Sequence, residues 1–125
     1  MQDTLPVKDD TKYIMQVALL RQCHDICQSG CKNAKHTTST VARLIPKLIK
    51  EDPENLVESM KSIVQKELIS PACNAYINIT EFYRIIMDCE PEARLVEEFK
   101  DAKEIMVKTR DVCMKTIIIL EKFIE

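Results

Sequence analysis

Residues 92–125, EARLVEEFKDAKEIMVKTRDVCMKTIIILEKFIE, decide the fold class. Leu95, Phe99, Ala102, Met106, Thr109, Cys113, Thr116, Leu120 and Phe123 recur in alternating steps of four and three, the spacing that keeps side chains on one face of an α-helix. No glycine or proline interrupts them, so the spacing predicts one helix, opened by Pro91 and up to roughly 50 Å long. Glu104/Lys108 and Asp111/Lys115 lie off this seam as i,i+4 pairs that support a solvated side. Small residues alternate with large ones along the seam, which lets a neighbouring helix approach closely.

Upstream, Asp52-Pro53-Glu54 reads as a helix start, with Asp52 as N-cap, Pro53 at the first helical position and Glu54 at the positive end of the dipole. Leu56, Val57, Met60, Ile63, Val64 and Leu68 then form an apolar stripe. Ser70-Pro71 repeats the start signal; it is expected to end that helix and cap another running to about Met87. The first helix is expected from Asp9, after an N-terminal tail of residues 1–8. Its face is Tyr13, Val17, Leu20, His24, Cys27, Cys31 and Ala34, continuing in register through Thr38, Val41, Ile45 and Leu48. The run His36-Thr37-Thr38-Ser39-Thr40 favours caps over helix interior, and Pro46 lacks a donor for the Ala42 carbonyl, so a break or strong kink is expected there.

A single glycine in 125 residues excludes the tight turns of β-meanders and the phosphate loops of nucleotide-binding folds. The fold expected is all-α: one domain over residues 9–125, a single antiparallel bundle of four to five helices, elongated by long first and last members. At this length a hydrophobic core needs no metal or disulfide framework. With 18 basic against 20 acidic side chains there is no blanket affinity for nucleic acid, and no aromatic lies between Tyr13 and Tyr76 for base stacking.

Residues 23–36, CHDICQSGCKNAKH, bring three cysteines and two histidines together. On a helix Cys23, Cys27 and Cys31 share a face at about 40° intervals, too far apart and too parallel to bridge one another. An i,i+4 pair can chelate, but residues eight apart cannot share one ion, so no metal site is expected. A bridge to Cys73 and Cys89 together requires residues 71–89 to be broken, since on one helix those two stand about 24 Å apart. The favoured reading is free cysteines acting as small hydrophobes on a buried face, with His24 a core or boundary histidine and His36 exposed. No catalytic signature and no cofactor motif is present, and no enzyme is expected.

One charge feature stands out. Between Asp25 and Glu51 there is no acidic residue, while Lys32, Lys35, Arg43, Lys47 and Lys50 supply five positive charges; residues 88–104 carry seven acidic against three basic. The basic strip suits an acidic or amphipathic helix of a partner protein, a phosphopeptide or an anionic lipid head group, whereas the plainer reading is that two oppositely charged helices complement each other within the bundle. The function expected is therefore a cytoplasmic, non-enzymatic adaptor or scaffold bundle. Two alternatives are a secreted cytokine-like ligand with disulfides and a glycan at Asn78-Ile79-Thr80, and an assembly subunit that pairs through its long helices.

Overall fold

A computed structural model describes the backbone of residues 4–125 and the side chains of 10–125. It contains three rods rather than four to five helices. Helix α1 spans Thr4–Glu51; α2 (Leu56–Ile63), a π-helical turn (Val64–Leu68) and α3 (Ile69–Asp88) form a second continuous rod; and α4 (Val96–Ile124) is the third. Short 3₁₀ turns, Pro53–Asn55 and Ala93–Leu95, lead into the second and third rods.

Each miscounted break has a local explanation. Ser70-Pro71 does not end a helix, because the turn before it is widened: the Ile69 N–H bonds the Val64 carbonyl five residues back. Proline crowds the carbonyl four residues upstream, here Glu67, and that carbonyl lies in the widened turn. The threonine-rich run in α1 stays helical because hydroxyls bond back along the same helix. Thr38 Oγ1 donates to the Ala34 carbonyl at 3.0 Å, and Thr40 Oγ1 to that of His36 at 2.8 Å. The helix also continues through Pro46. At the other end α1 opens at Thr4, within the expected tail; residues 1–3 lie outside the described residues.

With three rods the direction must alternate up, down, up. The middle rod is antiparallel to both neighbours, whereas α1 and α4 run parallel. Gln16 fixes that register: its Nε2 donates to the Glu90 carbonyl at 3.0 Å and its Oε1 accepts from the Glu92 N–H at 2.7 Å, clamping the α3–α4 connection against α1.

Burial follows the helical seams. Every seam residue from Leu95, which ends the 3₁₀ turn, through Leu120 of α4 is buried, Phe99 at 1% exposure and Met106 and Leu120 at 0%. Fully burying side chains of this size stabilises the fold by about 1.5–3 kcal/mol each. The core forms two clusters. One gathers Cys23, Cys27, Ile79, Phe82, Ile86 and Phe99; the other gathers Val41, Met60, Val64, Leu68, Ile117 and Leu120. Near their junction lies the chain's one glycine. A Cβ on Gly30 would stand 2.7 Å from Ile79 Cδ1 and 3.3 Å from both Cys113 Sγ and Thr109 Cγ2, so all three rods meet where a side chain is missing. Cys27, Ala34 and Val41 of the expected α1 face are buried, whereas at alternate positions the face shifts by one residue: Cys23, Gly30 and Thr37 point inward in place of His24, Cys31 and Thr38, which are exposed.

Candidate interaction surfaces

The basic residues occupy one side of α1. Lys32, Lys35, Arg43, Lys47 and Lys50 are all exposed. At about 100° per residue they fall within an arc of about 120°, opposite the buried Cys27, Ala34, Thr37 and Val41, and extend about 27 Å along the helix. Among the described residues none of the five forms an ion pair. The acidic segment 88–104 does not reach them, because the parallel register sets it beside the first half of α1. There Arg94 stacks on Tyr13, 4.2 Å from the ring centroid, and pairs with Glu92 at 3.0 Å and Asp10 at 3.9 Å. Mutual complementation of the two charged segments is thus not how this bundle packs.

Between the parallel α1 and α4 runs a groove that charge counting missed. It holds two shallow depressions, of about 220 and 320 Å³. The first is lined by Leu20, Cys23 and His24 of α1 and by Glu98, Asp101, Ala102 and Ile105 of α4. The second, about 20 Å further along, is lined by Cys31, Ala34, Lys35 and Thr38, facing Val112, Lys115, Thr116 and Ile119. Ile105, Val112 and Ile119 lie one heptad apart on α4 and are 49%, 42% and 41% exposed. A seven-residue apolar repeat beside the main seam is a visible sequence signal. Its exposure depends on where α1 sits.

Thiol chemistry is muted at the three buried cysteines, Cys23, Cys27 and Cys113. All six cysteines are free thiols. Burial pushes the Cys23 thiol up to about 12, with neighbouring Cys27 adding to the rise; burial also raises Cys27 and Cys113. Such groups stay protonated at neutral pH and are poor nucleophiles. The thiols of Cys31 and Cys113, weak donors, donate to Thr109 Oγ1 at 3.9 Å and to the Gly30 carbonyl at 3.8 Å. Because α3 is unbroken from Ile69 to Asp88, Cys73 and Cys89 pack against different core clusters. His24 is not a core residue: its side chain is 70% exposed, 3.7 Å from Asp25. Among the described residues no group of three or more His, Cys, Asp or Glu side chains is placed to hold a metal ion.

The Asn78-Ile79-Thr80 triplet lies inside α3, not on a loop. Asn78 is exposed, Ile79 is fully buried, and the Thr80 hydroxyl is buried without a hydrogen-bond partner. Among the described residues no helix is long and apolar enough to cross a membrane.

Comparison with protein-family models, with curated proteins and with solved structures finds no match. What is defined is an architectural class, an all-helical three-rod bundle whose first and last rods run parallel.

Proposed function

We propose that this chain is a non-enzymatic, intracellular interaction module that receives a helical segment of a partner protein along its α1/α4 face. The observation that supports the reading is the exposed Ile105–Val112–Ile119 stripe, which lies in a groove between two long parallel helices. Exposed apolar residues at heptad spacing match the anchors that an amphipathic helix offers in helix-in-groove recognition. The unpaired strip from Lys32 to Lys50 adds positive potential at one end of that face, which draws in acidic sequence flanking the docked helix. Six free thiols favour a reducing compartment. An acceptor asparagine within a helix, next to a fully buried residue, gives no support to the secreted reading.

A photo-crosslinking amino acid at Val112, in the protein expressed in its own cells, tests this. We expect a discrete protein adduct that is lost when Ile105→Glu and Ile119→Glu are added. It should be absent with the crosslinker at Glu58, exposed on α2. Equal adduct patterns from both positions would remove the groove from consideration.

A further inference from the structure

The groove is electrically polar from end to end. Where it passes between His24 and the start of α4 its charges are Glu98 and Asp101; where it passes between Cys31 and the later turns its charges are Lys35 and Lys115. All four charged side chains are exposed, and they bracket the apolar stripe rather than interrupt it.

Resting on the interaction reading above, the geometry points to one occupant: a partner's amphipathic helix that lies antiparallel to α1 and α4, acidic in its N-terminal half and basic in its C-terminal half. Complementary charge sets which half of the partner meets which end of the groove, and the helix dipoles select the direction. The acidic half of such a helix meets Lys35 and Lys115, and its basic half meets Glu98 and Asp101. Its dipole opposes the aligned dipoles of α1 and α4, and acidic N-termini with basic C-termini are what helix dipoles favour within the partner itself. The strip continuing through Arg43 to Lys50 extends the positive field beyond the end from which the partner's acidic sequence arrives.

Other occupants fit less well. Two copies of this chain related by a dyad at Val112 would match Ile105 with Ile119, but would set Lys108 of one copy near Lys115 of the other, twice, so that the pairing of Lys122 with Asp101 at the same offset is cancelled by repulsion. An anionic lipid surface would meet Glu98 and Asp101 along half of the groove.

The test uses two synthetic peptides of about 21 residues, enough to span about 30 Å. Both carry the same heptad-spaced leucines. One has glutamates in its N-terminal half and lysines in its C-terminal half, and the other has these charges exchanged. By fluorescence anisotropy at low ionic strength the first should bind the full chain about tenfold more tightly, with the gap closing as salt screens the charges. The charge-reversed chain with Lys35→Glu, Lys115→Glu, Glu98→Lys and Asp101→Lys should prefer the second. A nitroxide on the first peptide's N-terminus should broaden amide resonances near Thr116 and Ile119.

Equal affinity for both peptides, abolished by Val112→Glu, overturns the polarity while leaving the groove as an interaction site. Broadening near Asp101 overturns the orientation. Failure of both peptides to bind overturns this inference and counts against the interaction reading as well. A chain that sediments as a dimer, but as a monomer after Val112→Glu, has a second copy in the groove and also overturns the proposal.

Discussion

Helix α4 carries two apolar stripes side by side, and they have opposite fates. The seam from Leu95 to Leu120 is buried along its whole length, closed over by the middle rod and α1. Ile105, Val112 and Ile119, turned by roughly a quarter of the helix circumference, remain between 41% and 49% exposed. Both repeats are compatible with helix packing. The difference is that the two other rods cover only one side of α4, so the second stripe meets the edge of α1 and no further helix among the described residues. Equal spacing in sequence thus separates into a stability element and a surface.

Substitutions on the two stripes should behave as differently as their burial. Phe99→Ala in the buried seam should destabilise the fold by about 3–5 kcal/mol, read as a lowered urea midpoint; a loss below about 1 kcal/mol would mean that the seam is less closed than described. Gly30→Ala acts where the seam is tightest. Alanine gains up to about 1 kcal/mol of helix propensity over glycine, but its Cβ meets the fully buried Ile79 at 2.7 Å. Overpacking of this kind costs about 1–3 kcal/mol. We expect net destabilisation, relieved when Ile79→Val is combined with it; a more stable Gly30→Ala protein would show that the three rods do not meet at this point.

The buried side should also be sensitive to alkali. Cys23, Cys27 and Cys113 titrate higher in the folded chain than the ordinary thiol value of 9.0. Above that value the unfolded chain loses these protons first, so the folded state binds more protons and stability falls as pH rises from about 9 toward about 12. Chemical denaturation across this range should show the decline, and Cys23→Ala should make it shallower; a flat profile would contradict the burial of these thiols. The smallest change is expected on the open stripe. Val112→Glu should alter stability by no more than about 0.5 kcal/mol while abolishing crosslinking to a partner. A large loss of stability would place Val112 in the core and erase the distinction between the stripes.

Much of this arrangement was legible from residue spacing. The α4 seam from Leu95 to Leu120 is legible residue by residue, because a four-three repeat without glycine or proline has few alternatives. The basic strip was legible as a charge run, and its exposure on one face follows from the helical period. The rod count was not legible, since Ser70-Pro71 is a strong local stop signal and a π turn is a response to packing that spacing does not encode. The inward face of α1 is legible in part: Cys27, Ala34 and Val41 are buried as the spacing predicts, but Cys31 and Gly30 are adjacent, and the choice between them rests on how near Ile79 comes. His24 is exposed rather than in the core because Cys23 takes the inward position beside it. The groove was half legible, its heptad repeat present in α4 and its second wall supplied by a helix some 80 residues earlier in the sequence.

By itself the sequence determined that this chain is helical, that its final helix has one continuous buried face, and that residues 32–50 carry unopposed positive charge; each rests on periodicity or composition within a single element. Only the tertiary structure decided that the elements merge into three rods, that the first and last run parallel, and that a second apolar stripe is left open between them. Those depend on which surfaces approach within van der Waals distance. In this molecule that approach is set where Gly30 of α1, having no side chain, admits Ile79 of the middle rod beside Thr109 and Cys113 of α4.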